Sequence, residues 1–380
     1  MNLSWSEDQV VLHKRLRIYG EKLGQRLIER DRAQEFSRND WNGCAEQGVL
    51  RLAVPREYGG LDLDALTCAH AMEGLGYGCR DNGLLISLGA HMWAVQLPIT
   101  RFGTEEQKAK YLPPLSDGSW IGAHAITEPD AGSDTLSLRT TAYREGDHYV
   151  LNGQKCFVTN APVADLFLVY ATINLELGFT GVTAFLIERN QPGVQVETHY
   201  EKTGLRTSPW GEVILRDCRV ADSQRLGREK GGSAIFATTM AWERALILAP
   251  LLGAMERELE GCVLRARKRR QFGRPIGAFQ AVSHSIVDMK VELEAARLLT
   301  YRAAWDLDHG DRSMFSEIAQ LKTSESAVDA FLRAMQVHGA HGYTVNAEIE
   351  RNVRDALGTR ISSGTSELQR VVIAGKLGVY

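Results

Sequence analysis
Three short stretches of the chain carry residue types that could do chemistry at their own spacing. Gly74-Leu75-Gly76-Tyr77-Gly78 has the glycine density of a phosphate-cradling loop, but Cys79 stands where the third glycine belongs. No strand is predicted ahead of it, and such a loop needs a strand–turn–helix frame to aim backbone N–H groups at a phosphate. A helix terminus is the reading here. His338-Gly339-Ala340-His341 offers two imidazoles that could ligate a metal. They sit at a glycine-broken helix end without a nearby acidic partner in sequence, so no metal is expected. The basic run Arg265 to Arg270 could meet a polyanion, although such a run usually forms a solvated helix face.

The bulk properties narrow the classes. The chain has 380 residues, more than one core usually fills, so two or three domains are expected. Apolar content of 44% and charged content of 24% are those of a globular protein, and a net charge of −3 argues against nucleic acid as a partner. Six cysteines, at 44, 68, 79, 156, 218 and 262, contain no Cys-x-x-Cys pair. Neither a zinc site nor a disulfide framework follows, and reduced thiols in the cytoplasm are the simple expectation. No apolar run is read as approaching the ~18 residues of a membrane span. The segment Met1 to Val10 carries two acids and neither Arg nor Lys, unlike a targeting leader.

The elements that must position any site fall into three blocks. In residues 1–117, Ser4 and Glu7 form a predicted capping box, and Leu12, Leu16, Tyr19, Leu23 and Leu27 recur at helical spacing. Residues 118–230 read as strands: Tyr149-Val150-Leu151, Leu166 to Tyr170 and Val182 to Ile187 are short apolar runs, bounded by Asn152-Gly153 and Pro192-Gly193 as turns. An antiparallel barrel or sandwich is expected there. Residues 231–380 return to helical periodicity, with Ile286, Met289, Leu293 and Ala296 on one face and Ile318, Leu321, Val328, Phe331 and Met335 on another. Pro250 should break the helical stretch from Ser233 to Arg270. Helix, strand and helix blocks in that order predict an α+β multidomain fold rather than an alternating sheet.

Five strings then stand in order along the chain. They are Ala125-Ile126-Thr127-Glu128-Pro129-Asp130-Ala131-Gly132-Ser133-Asp134, Gly153-Gln154-Lys155-Cys156-Phe157-Val158-Thr159-Asn160, Lys202 to Ser208, Arg269-Arg270-Gln271-Phe272-Gly273 and Gly364-Thr365-Ser366-Glu367-Leu368-Gln369. Together they resemble the signatures of the acyl-CoA dehydrogenases. That resemblance implies a helical N-terminal domain, a middle β-barrel domain and a C-terminal four-helix bundle, with FAD as cofactor. It implies that Thr127 and Thr159 supply donors to the flavin ring, Phe157 a flat apolar wall, and Ser133 a contact to the pyrophosphate. Arg269 would pair with the pyrophosphate of a neighbouring subunit's FAD, since a planar guanidinium suits phosphate oxygens. Gln271, Phe272 and Gln336 fall on the same family surface, and Thr365 is carried over with them as a cofactor residue. A site shared between chains implies a homo-oligomer, a tetramer by resemblance.

The family's reaction removes the α-proton of an acyl thioester while the β-hydride passes to flavin N5, so the protein must supply a carboxylate base. Many members keep it as the glutamate of Tyr-Glu-Gly-Thr. Here Arg360-Ile361-Ser362-Ser363-Gly364-Thr365 puts Ser363 in that place, and a hydroxyl is too weak a base. Isovaleryl-type members hold the base on an early helix of the third domain, where this chain has Met240-Ala241-Trp242-Glu243-Arg244. Glu243 is therefore the expected base, and the Ser363 backbone N–H the expected donor to the thioester carbonyl. Taken alone, without the resemblance, Glu243 reads as a surface helix acid paired with Arg244 or Arg267.

Met92, Trp93 and Arg244 are expected to face the substrate. The bulk of Met92 and Trp93 favours a short or cyclic acyl group. The sequence resembles most the members that oxidise aminoacyl or short acyl groups, prolyl among them, on carrier proteins. An isovaleryl-type acyl-CoA dehydrogenase is the alternative, and a flavoprotein that has lost dehydrogenation is a third reading. Electron-transfer flavoprotein or oxygen is expected to accept the electrons.

Overall fold
Two overlapping boxes are written into Ser4-Trp5-Ser6-Glu7-Asp8-Gln9, and the computed structural model, which describes residues 4–198, 200–310 and 314–380, uses the second. Ser6 accepts from the Gln9 N–H at 3.3 Å, and the Gln9 side chain accepts from the Ser6 N–H at 2.9 Å. The expected Ser4–Glu7 box is thus displaced by two residues. Trp5 stacks on His70 at 3.9 Å, which keeps it outside the helix and leaves Ser6 as the cap. Helix α1 (Glu7–Gly20) stops short of Leu23 and Leu27, which belong to a linker and to α2 (Leu27–Ala33). At Gly20 a Cβ would lie 2.7 Å from the Leu75 carbonyl oxygen, so the chain turns where two backbones meet.

Helices α3 (Arg38–Glu46), α4 (Ala65–Gly78), α5 (Asn82–His91), α6 (Leu97–Phe102) and α7 (Glu105–Ser116) complete the first block. The glycine-rich run is the end of α4 and serves close packing. A Cβ at Gly74 or Gly78 would strike backbone oxygens of α1, and one at Gly76 would sit 1.9 Å from the Pro250 carbonyl oxygen.

The strands are β1 (Gly122–Ala125), β2 (Thr141–Glu145), β3 (His148–Thr159), β4 (Leu166–Thr172), β5 (Val182–Glu188), β6 (Val194–Glu197), β7 (Trp210–Ala221) and β8 (Arg225–Leu226). They form one sheet in the order β6-β7-β3-β2-β4-β5-β8, with β1 also on β4. Pairing is antiparallel except that β1 and β2 both run parallel to β4. One edge of β4 is divided between them: β1 takes Leu166–Val169 and β2 meets Thr172. The chain therefore leaves the sheet after Ala125 and re-enters at Thr141, and this excursion carries Thr127 and Ser133. Strands β4 and β5 bury both faces. Phe167, Val169, Phe185 and Ile187 fill the inside of the curled sheet, while Leu166, Leu168, Tyr170 and Leu186 pack with residues of α6, α7 and the following helical block. That double burial explains their unbroken apolar runs.

Asn152-Gly153 is not a turn, as the sequence reading had it. It lies inside β3 at a register shift against β7, where the Asn152 amide donates to Asp217 at 3.1 Å. A Cβ at Gly153 would meet the Thr140 hydroxyl at 2.3 Å, so the glycine marks a close approach.

Helices α8 (Gly232–Leu246) and α9 (Ala249–Lys268) are separated where Pro250 takes the first turn of α9. After the short β9 (Arg270–Gln271) and β10 (Arg274–Pro275) come α10 (Gln280–Asp308), α11 (Phe315–His338), α12 (Ile349–Thr359) and α13 (Ser366–Lys376). Helices α8 to α11 pack on one another as a four-helix bundle, with α12 and α13 against α11. Two helical stretches, Asn82–Phe102 and Gly232–Lys268, are longer and more apolar than the sequence reading allowed. Most of their residues are buried in the fold, as in core helices. Leu16, Trp41 and Leu75 share one core with Leu246, Leu252 and Phe331, so the first and last helical blocks have a common interior.

The Lys202 to Ser208 turn clasps all three blocks. Leu205 N–H donates to Asp355 at 2.6 Å, Thr207 hydroxyl to Asp81 at 2.5 Å, and the Ser208 and Ser87 hydroxyls lie 2.9 Å apart. His91 makes a second tie. Its Nδ1 accepts from the Gly122 N–H at 2.9 Å, so Nε2 carries the proton and donates to the Leu115 carbonyl at 3.0 Å. Burial pushes its pKa down to about 3. The unfolded chain binds this proton near pH 6.5, so the contribution of neutral His91 is present above that value and is lost as pH falls toward 3. We expect the melting temperature to drop between pH 7 and pH 5, by up to ~1.4 kcal/mol of stability per pH unit for each such histidine. His91→Asn should flatten that slope. A wild-type melting temperature constant over the interval would contradict the account.

Candidate active site
The excursion between β1 and β2 is held by a buried ion pair. Lys155 of β3 donates to Glu128 at 2.7 Å and to the Ile126 carbonyl at 3.2 Å. Glu128 also accepts from Arg139 N–H at 2.6 Å, from Thr140 N–H at 2.9 Å and from the Thr140 hydroxyl at 2.5 Å. Burial raises the Glu128 pKa, but Lys155 and these donors outweigh it and hold the carboxyl below its ordinary value. Burial draws Lys155 down to about 8 against the pull of Glu128. The donor-rich geometry around Glu128 favours the ionised pair. Both residues stand inside the quoted motifs, yet neither was assigned a role from the sequence.

Next to this clamp the Thr127 carbonyl accepts from the Cys156 N–H at 2.9 Å, which sets Thr127 beside the end of β3. Phe157 takes φ +54°, is 53% exposed, and packs its ring against Tyr200 at 4.8 Å and Trp210 at 6.2 Å. A bulky residue rarely holds that backbone conformation, and here it turns an aromatic face outward. Thr159 pairs with Trp210 across the strands, and the buried Trp210 Nε1 has no hydrogen-bond partner among the described residues. Ser133 is exposed on the excursion. Part-buried Thr127 and Thr159 beside an outward aromatic face could hold the flat, acceptor-rich ring of a flavin. Asn160, which follows, donates to the Ser87 carbonyl at 3.0 Å and locks this edge to α5.

The carboxylate expected as base is buried rather than on a surface. Ser363 donates its hydroxyl to Glu243 Oε1 at 2.5 Å, while Oε2 is buried without a partner among the described residues. Burial raises the Glu243 pKa, opposed by the Ser363 hydrogen bond and by Arg244. The alternative pairing with Arg267 is not what the structure shows. Phe236, on the same helix as Glu243, meets the His124 ring of β1 at 6.4 Å, so the helix of the base packs directly on the strand leading to Thr127. Arg244, expected to face substrate, makes its hydrogen bonds within the chain: Nε to the Ser363 carbonyl at 3.0 Å and an ion pair with Glu317 at 3.1 Å. Thr365 caps α13, accepting from the Leu368 N–H at 3.1 Å. Met92 and Trp93 lie buried in a wide helical turn between α5 and α6, with the Trp93 ring 6.4 Å from that of Trp242, the residue preceding Glu243.

The remaining cofactor candidates lie elsewhere on the surface. Arg269 closes α9, Gln271 and Phe272 form the short β9–β10 hairpin, and Phe272 is 92% exposed. Gln336 is exposed on α11. The His338 and His341 rings are 6.3 Å apart, and among the described residues no cluster of three or more His, Cys, Asp or Glu could hold a metal. All six cysteines are buried and free.

Family models match along the chain: the acyl-CoA dehydrogenase N-terminal domain over residues 6–119, the middle domain over 123–218 and the C-terminal domain over 230–378. The L-prolyl-[peptidyl-carrier protein] dehydrogenase of Pseudomonas fluorescens is 45% identical over 349 residues, 91% of this chain and 92% of that protein. The protein of the same name from a Serratia species is 43% identical, covering 89% of this chain and 88% of its own. Among solved structures, the prolyl acyl carrier protein oxidase AnaB superposes with a TM-score of 0.97 at 46% identity, covering 99% of this chain and 100% of that one. PigA with FAD and proline superposes with a TM-score of 0.97 at 39% identity, covering 100% of both chains. With matches to all three of its domains in order, the chain belongs to the acyl-CoA dehydrogenase family.

Proposed function
We propose that this protein is an FAD-dependent dehydrogenase of the α,β-bond of a short acyl or aminoacyl thioester, prolyl or similar, carried on a carrier protein. The observation that carries the reading is the buried Glu243 carboxylate, held by Ser363 at 2.5 Å with its second oxygen unpaired among the described residues. The likeness to prolyl-carrier-protein dehydrogenases supports the substrate class. FAD, when bound, supplies the two-electron acceptor. Thr127 and Thr159 hold its ring, Phe157 walls it, and Ser133 and Thr365 complete the contacts on this chain. Glu243 takes the α-proton, and the Ser363 N–H polarises the thioester carbonyl. Electron-transfer flavoprotein or oxygen is the acceptor that reoxidises the enzyme.

The test is anaerobic mixing of the purified yellow protein with a prolyl thioester on a peptidyl-carrier protein, read as flavin bleaching. Bleaching at least roughly tenfold faster than with isovaleryl-CoA is expected, since that ratio reflects ~1.4 kcal/mol of differential transition-state binding. Equal rates with the CoA ester would favour the isovaleryl-type alternative.

The adenosine end of FAD is proposed to be clamped by a neighbouring subunit through Arg269, Gln271, Phe272 and Gln336, in a homotetramer. Exposed Val287, Val291 and Leu298 on α10 give the assembly an apolar surface to bury. Arg269→Ala should weaken FAD retention by ~10-fold or more, the usual worth of a charge-assisted pair. A monomer by light scattering that still held FAD tightly would rule out the shared site.

A further inference from the structure
Ser363 stands where many relatives place the base, and in this chain its side chain is turned on the relocated base itself. We infer that the Ser363 hydroxyl is a positioning group for Glu243: it pins Oε1 so that Oε2 alone faces the α-carbon, and it keeps the carboxylate ready to accept a proton. This rests on Glu243 being the base.

Three observations carry the inference. The hydroxyl donates to Oε1 at 2.5 Å, and Oε2 is buried with no partner among the described residues. Ser363 takes φ +54°, a conformation that a serine holds only when its surroundings impose it. Those surroundings are specific. The Ser363 carbonyl accepts from Arg244 Nε and from Gln369 Nε2, each at 3.0 Å, and Gln369 also donates to the Gly364 carbonyl at 3.0 Å. A Cβ at Gly364 would lie 2.8 Å from Gln369 Nε2, so the next position admits only glycine without displacing the brace. Gln369 is fully buried.

The consequence is geometric. One residue meets the base through its side chain and, in the proposed reaction, the thioester carbonyl through its backbone N–H. Both partners of the α-carbon are then referred to the same short, braced segment, and the proton moves from Cα to Oε2 without reorientation of the carboxylate. Burial alone would favour the protonated acid, and the hydroxyl works against it because hydrogen bonds to the charged form stabilise that form.

The experiment compares Ser363→Ala with Ser363→Gly. Neither has the hydroxyl; alanine is strained at this φ and glycine is not, so an effect common to both belongs to the hydroxyl. Flavin absorbance checks that each variant has an assembled site. In both, the acid limb of the pH profile of flavin reduction should move up by about one pH unit, and below that limb exchange of the substrate α-proton with deuterium oxide should slow ~10-fold. Wild-type profiles in both variants, or a change confined to alanine, would overturn the inference. If Glu243→Gln still reduced flavin, the base reading would fail and the inference with it. If Glu243→Gln were inactive and the two serine variants unshifted, the inference alone would fail.

Discussion

Glu243→Gln should keep the fold and the yellow colour yet lose flavin reduction by ~10²–10⁴-fold, the usual cost of removing a general base. The substitution preserves size and lets an amide oxygen accept from the Ser363 hydroxyl, so packing is spared. What it removes is basicity at Oε2, the buried oxygen without a hydrogen-bond partner among the described residues. Thioester binding should survive, because the donor to the carbonyl is backbone. Stopped-flow mixing separates the two, since binding perturbs the flavin spectrum before any bleaching. Reduction at the wild-type rate would make Glu243 a structural acid.

The second large effect is expected at Lys155. Lys155→Met keeps the length of the side chain but leaves Glu128 buried without its counter-charge, and breaking a buried pair in this way costs ~3–5 kcal/mol. The damage should be local as well as global. Glu128 ties residues 139 and 140 to the start of the excursion, so loosening it frees the segment that carries Thr127 and Ser133. We expect a lower melting temperature together with protein that purifies largely without FAD. The double change Lys155→Met with Glu128→Gln removes both charges and should recover much of the thermal stability. Recovery of stability without recovery of FAD would show that the clamp shapes the flavin edge as well as holding it. A single variant that melted like wild type would refute the clamp.

The order of helical, strand and helical blocks was legible in the sequence because each is written in local periodicity. Thr127, Thr159 and Glu243 stood out as candidates because each lies in a string that resembles a family signature. The clamp was not, although Glu128 and Lys155 both sit in those motifs. Their meeting depends on the excursion folding back over β3, which no local pattern encodes. Asn152-Gly153 misled because the pair that makes a tight turn also relieves a bulge, and only the register with β7 separates the two. Ser4–Glu7 misled because Ser6–Gln9 satisfies the same rule and the choice is made by Trp5 stacking on a distant histidine. In the sequence Ser363 has a backbone role only, with no task for its side chain. Its hydroxyl became informative only when the left-handed backbone there aimed it at a residue on another helix.

The interior shared by the first and last helical blocks has a consequence for how the chain is made. Leu16, Trp41 and Leu75 leave the ribosome long before Leu246, Leu252 and Phe331, with which they form one core. During synthesis at some 5–20 residues per second, the early helices must wait many seconds with part of their apolar surface uncovered. The sheet has no such wait, because Phe167, Val169, Phe185 and Val213 close on one another within a single block. The nascent chain is therefore most exposed to aggregation and to chaperone capture at its beginning, and it is relieved only when its end arrives.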